Sequence, residues 1–143
     1  MRDRERGQST IFFALILTGL LLLTAVGIEI GRIVYARGEV GKAADAAALA
    51  AAARIDVVHY RETGEIRFLP DVVATAQTYA SMNSAFLRRR HIAVTVTGIS
   101  VDPTTRVVSV SVSADLSSLM PAILPFQGIY QITGTAEARI DGR

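Results

Sequence analysis

Residues 11–28 of this chain carry no charged side chain, and residues 20–23 are four consecutive leucines. As a helix, such a stretch rises about 27 Å, close to the ~30 Å hydrocarbon core of a bilayer. A segment of this kind serves as a cleaved signal peptide, as a retained anchor, or as the spine of an assembly. Signal-peptide cleavage needs small residues at −3 and −1 soon after the apolar run. Here the run leads into Glu29, Ile30, Gly31 and Arg32, and the first Ala-x-Ala pattern lies near Ala44, far too late. The sequence therefore predicts a transmembrane span over about 11–28. Of the 143 residues in the chain, about 110 remain for one small core.

The helical signal does not stop at the membrane. Residues 33–53 contain no proline, and 43–53 is alanine except for Asp45 and Leu49. Alanine is the best helix former, and over this window it outweighs the cost of Gly31, Gly38 and Gly41. The sequence thus predicts one long helix over 9–53, about 68 Å at 1.5 Å per residue. Its surface is unusually small: Gly27 and Gly31, then Ala43, Ala47 and Ala51, recur at four-residue spacing. Small-xxx-small spacing permits close helix approach, so these five are the candidate packing positions, against the chain's own sheet or another subunit. Glu29 stands where the helix leaves the apolar core, and Arg32 shares its face three residues on, a candidate ion pair that would fix the depth of the helix.

Arg2, Arg4 and Arg6 precede the span, while Arg32, Arg37 and Lys42 follow it. The positive-inside count is tied. A short tail before a first hydrophobic segment usually stays inside, which places 1–8 in the cytoplasm and 54–143 outside.

The remainder reads as an α+β head. Pro70 and Asp71 suit the start of a second helix, and an apolar stripe runs from Val72 and Ala76 to Phe86 and Leu87, closed by Arg88, Arg89, Arg90 and His91. Three strands follow. The alternation of Val94 and Val96 changes phase at Gly98 before Ile99 and Val101, predicting a β-bulge. With the turn at 102–105, pairing Val101 with Arg106 sets Ile99 opposite Val108. The last strand, 130–140, puts Ile132, Gly134, Ala136 and Ala138 on one face. That face is small in its middle, so something must approach it closely, and the alanine-rich first helix is the candidate. The expected fold is α+β, a long N-terminal helix packed on a small antiparallel sheet with a second helix beside it. Between the second and third strands, Met120, Ile123, Leu124 and Phe126 form an apolar segment that covers the core edge or makes a contact patch.

Chemistry-bearing patterns are absent from the sequence. Cysteine is missing, and the two histidines, His59 and His91, have no metal-ligand spacing. There is no nucleophile elbow, Walker loop or zincin motif. A formal net charge of +2 with no aromatics among the 88–90 arginines does not describe a nucleic-acid binder. The reading is of a non-enzyme without a cofactor.

The combination of Arg6-Gly7-Gln8, the apolar segment, Glu29-x-Gly31-Arg32 and the alanine-aspartate run of 43–50 resembles the TadE/TadG-like proteins of bacterial Tad (Flp, tight-adherence) pili. Residues 77–83, with Tyr79 and Asn83, resemble that family's second helix more loosely. The resemblance implies a pilin-like or pseudopilin-like protein, single-pass in the bacterial inner membrane, acting in pilus assembly with other pilus subunits as homo- or hetero-oligomer partners. In processed members a prepilin peptidase cuts after a glycine, here Gly7, leaving Gln8 first. Those members carry a glutamate five residues after the cut, where this chain has Phe12, so cleavage stays open. The expected function is a minor structural subunit of a Tad-type pilus. The other readings are a main filament subunit and a membrane-anchored binding module.

Overall fold

The computed structural model describes residues 2–119 and 128–140, with side chains from Ser9 onward. Helix α1 is Arg2–Ala52, so helical structure begins seven residues before the expected start. Two units are distinguished, Met1–Val34 and Tyr35–Arg143, and each is described separately.

In the first unit, the most apolar eighteen-residue window has a mean hydropathy of 2.6 and none of it is buried within the chain. Its two threonines are satisfied locally. Thr18 Oγ1 donates to the Ala14 carbonyl and Thr24 Oγ1 to the Leu20 carbonyl, both at 2.8 Å. Such internal pairing is what an apolar medium demands of every polar group.

The second unit is the head. Its elements after α1 are α2 (Val57–Thr63), α3 (Val72–Met82), α4 (Ala85–Arg89), β1 (Val94–Asp102), β2 (Val107–Ser117) and β3 (Ile129–Arg139). The sheet is antiparallel in the order β1-β2-β3. Together with α1 this is the expected α+β class. On central β2 the even positions Val108, Val110, Val112, Ala114 and Leu116 are buried, and on β3 Ile132, Ala136 and Ala138. The outer part of α1 contributes Ala36, Val40, Ala43, Ala44, Ala47, Ala48 and Ala51 to the same core.

Helix and sheet approach closely at Gly134. A Cβ there would lie 3.1 Å from Val40 Cγ1, 3.2 Å from the Val40 carbonyl oxygen and 3.3 Å from the Gly41 nitrogen. Two of these three neighbours are backbone, which cannot rotate away. The glycine in the middle of a strand, normally a loss of order and of packing area, is what lets an alanine-rich helix lie flat on β3.

The bulge falls between Val96 and Gly98. The register, however, differs from expectation: Ile99 lies opposite Val110 and Val101 opposite Val108, and the hairpin closes at Asp102 and Val107. The loop keeps four residues but sits one residue later, at 103–106 and not 102–105, and this moves the register by two. Asp102 Oδ1 accepts from the Thr104 amide at 2.8 Å and Oδ2 from the Thr105 hydroxyl at 2.8 Å, while Arg106 turns the chain at φ 55°. These bonds also hold the Asp102 carboxyl below its ordinary pKa, the Thr105 hydroxyl contributing most. A slip of two preserves the inward face, since the side-chain period is two.

The second helix is two helices. Asn83 donates from Nδ2 to the Tyr79 carbonyl at 2.9 Å, and its own amide uses that same carbonyl. The side chain thus competes with the helical ladder, and α4 restarts after Ser84. The stripe narrows to Val72, Ala76, Ala80 and Leu87, while Val73 and Tyr79 face outward. On the sheet's outer edge the Gln77 side chain stands in for a strand. Its Nε2 donates to the Val94 carbonyl at 2.7 Å, and its Oε1 accepts from the Val96 amide at 2.9 Å. An edge that would otherwise offer itself for pairing is closed there.

Helix α2 was not foreseen. Asp56 caps it by accepting from the His59 amide at 3.0 Å, and Gly64 ends it at φ 75°. An aspartate and a glycine bracketing seven residues are the ordinary signs of a short helix.

Substitution tests the helix-sheet contact. Gly134→Val should lower head stability by about 1–3 kcal/mol through overpacking. Gly41→Ala, where a Cβ meets nothing within 4 Å, should raise it by up to ~1 kcal/mol. Thermal unfolding of the full chain in detergent reads both, and a Gly134→Val protein as stable as the parent contradicts the close approach.

Candidate functional site

Along α1, small residues at four-residue spacing divide into two groups. Ala43, Ala47 and Ala51 are fully buried within the chain; they are used by the head's own core and offer nothing to a neighbour. Gly27 and Gly31 are exposed, and a Cβ built on either meets nothing within 4 Å. Around them Ile11, Phe12, Phe13, Leu15, Ile16 and Leu23 are also exposed. The apolar inner part of α1 is thus open, with two notches.

Glu29 lies at the end of that part. Its carboxylate is 3 % exposed, and Arg32 Nη1 donates to Glu29 Oε2 at 3.0 Å. By helical spacing Glu29 precedes Ala36 and Ala43 by seven and fourteen residues, on the side of α1 that the head buries further along. A carboxylate so withdrawn from water is costly without a charged partner, and Arg32 supplies one within a single helical turn. The same arrangement recurs at Glu39 and Lys42, 2.8 Å apart, where Glu39 is 7 % exposed. The Glu39 hydrogen bond raises the Lys42 pKa above its ordinary value. Acid before base at three-residue spacing also suits the helix dipole.

Gly7 and Gln8 fall within α1, and the Phe12 side chain is exposed. Met120, Ile123, Leu124 and Phe126 lie outside the described residues. Among the described residues, no three His, Asp or Glu side chains gather in metal-binding geometry.

One apolar feature was missed in the sequence. Leu49, the single bulky residue of the alanine run, is exposed. It lines a groove of about 570 Å³ with Ile55, Val57, Tyr60 and Ile66. The legible signal was a leucine placed off the buried alanine face.

Glu29→Ala should reduce thermal stability in detergent by about 1–3 kcal/mol, because a charge-assisted bond to Arg32 is lost. The exchange Glu29→Arg with Arg32→Glu should recover much of that loss. An alanine variant indistinguishable from the parent would contradict a stabilising pair.

Residues 7–54 match the family model described as Flp pilus-assembly TadE/G-like. No curated protein and no solved structure matches the chain. The matched segment takes in nearly all of α1 and stops before α2. Those are the residues that carry the uncovered apolar surface, the Glu29–Arg32 pair and the alanine stripe. Over residues 7–54, about a third of its length, the chain is similar to the Flp pilus-assembly TadE/G-like family.

Proposed function

We propose that this chain is a pilin-like minor subunit acting in Tad pilus assembly, structural and not catalytic. Residues 11–28 anchor it in the bacterial inner membrane, with the N-terminus cytoplasmic and the head outside. Other pilus subunits pack on the inner part of α1, with Gly27 and Gly31 as the positions of closest approach. Met1–Gly7 is the candidate leader for a prepilin peptidase, with Phe12 in place of the glutamate of processed pilins.

The observation that carries this reading is the contrast along α1. An apolar window of mean hydropathy 2.6 has no buried residue, whereas Ala43, Ala47 and Ala51 are wholly buried in the head. A helix built this way leaves one half for lipid or neighbouring helices and commits the other to its own fold. The family match over 7–54 supports a role among pilus components.

Deleting the chain should abolish or sharply reduce surface pili. Gly27→Leu with Gly31→Leu should reproduce that defect while the head still unfolds at the parental temperature. In sheared filaments the chain should be scarce relative to the main subunit, and its intact mass decides whether residues 1–7 are removed. Normal piliation in the deletion strain would overturn the proposal, and dominance in the filaments would make it the main subunit.

A further inference from the structure

We propose that the groove beside Leu49 is the seat for residues 120–127 of a second copy of this chain, so that heads join end to end. The groove, of about 570 Å³, includes Leu49, Val57, Tyr60, Ile66 and Ile140 in its walls. Leu49 and Val57 are 68 % and 52 % exposed, apolar surface that the head itself leaves uncovered. Arg106 and Arg139 place the groove at one end of the sheet, where β2 begins and β3 ends. Residues 120–127 connect β2 to β3 at the other end, beyond the Ser118 amide, which donates to the Gly128 carbonyl at 2.9 Å.

The connection cannot reach the groove of its own chain. The 11 residues of β2 that separate the two ends span about 36 Å at ~3.3 Å each. Residues 119–127, tethered at both ends, extend at most about 18 Å. In a second copy displaced along the strands and in the same orientation, the connection meets the groove. Such a contact is heterologous: each copy keeps one end free, so the result is an open row and not a closed pair. The chemistry of the two ends agrees. Residues 120–127, MPAILPFQ, carry no charge, and Leu119 and Ile129 beside them are 58 % and 66 % exposed. Pro121 and Pro125 restrict the backbone before binding and leave more carbonyls than amide donors. Arg61, Arg106 and Arg139 line the groove, form no ion pair among the described residues, and supply donors to those carbonyls. A proline-bearing apolar segment against a groove with an aromatic, here Tyr60, is a recurrent mode of recognition. An acidic peptide of another protein is the less favoured occupant, because the walls call for apolar bulk and this chain carries it. The inference needs neither the anchor nor a scarce place in the pilus.

The chain has no cysteine, so Ala53→Cys, exposed in the groove, and Gln127→Cys, in the connection, mark the two ends. The two full-length variants are mixed in detergent and treated with a short bismaleimide. The mixture should give a 53–127 dimer that neither variant gives alone, and a chain carrying both cysteines should give a ladder of oligomers. Leu49→Glu should lower the dimer yield about tenfold or more, as a charge in an apolar seat does, while the head still unfolds at the parental temperature. Ile123→Glu with Leu124→Glu should do the same. A dimer that forms equally well between like variants means a two-fold contact and overturns the proposal. A doubly substituted chain cross-linked within itself overturns it by seating the connection in its own groove. No dimer at any soluble concentration, or a 53–127 dimer that survives Leu49→Glu, overturns it as well. Normal piliation in the deletion strain would remove the pilus role and leave the cross-link unaffected, so the two failures are distinguishable.

Discussion

Gly134 against Val40 and Gly41 is the contact on which the head depends. A Cβ on the strand would press on two backbone atoms of the helix, so the separation of α1 from β3 is set by the absence of that one atom. With the backbones this close, the seam is lined mostly by alanines: Ala36, Ala43, Ala44, Ala47 and Ala51 are buried, with Val40 seated over Gly134. Larger residues enter from the far side, where Val108, Val110 and Val112 of β2 fill the central layer. A head with a narrow seam and a valine centre can be made from a short chain, with each buried valine contributing about 1.5–3 kcal/mol.

The same helix is uncovered by the chain before it reaches that seam. Its inner part shows apolar side chains with no cover from the chain, and its threonines close their hydroxyls onto the preceding turn. The change of environment is marked by charge and not by a break in the helix. Glu29 with Arg32 stands at the end of the apolar part, and Glu39 with Lys42 stands at the beginning of the alanine seam. Each of these acids is nearly inaccessible and is answered by a base one turn later.

Much of this was legible because it obeys simple periods. The charge-free run marked the exposed apolar part of α1, the even positions of β2 and β3 marked the inward face, and the small residues about Gly134 announced a close neighbour. The bulge near Gly98 followed from a change of phase. What escaped was set by single side chains acting on the backbone. Asp102, itself paired and gathering Thr104 and Thr105, set the four-residue loop one position later and moved the register by two. Asn83 took the Tyr79 carbonyl and divided a helix that hydrophobic spacing alone had joined. Asp56 and Gly64 enclosed a helix too short to show periodicity. At the candidate site, spacing marked Glu29 and Arg32 as neighbours, yet it could not separate Gly27 and Gly31 from Ala43, Ala47 and Ala51. That distinction is one of tertiary burial, and it decides which small residues another subunit can reach.

The central claim is that the alanine-rich part of α1 is a structural member of the head and not a free stalk. Amide hydrogen exchange on the full chain in detergent tests it directly. The account predicts that amides of residues 43–51 exchange as slowly as those of 108–112 in β2, since both open only when the head unfolds. Exchange at 43–51 faster by orders of magnitude, with β2 still protected, would contradict it.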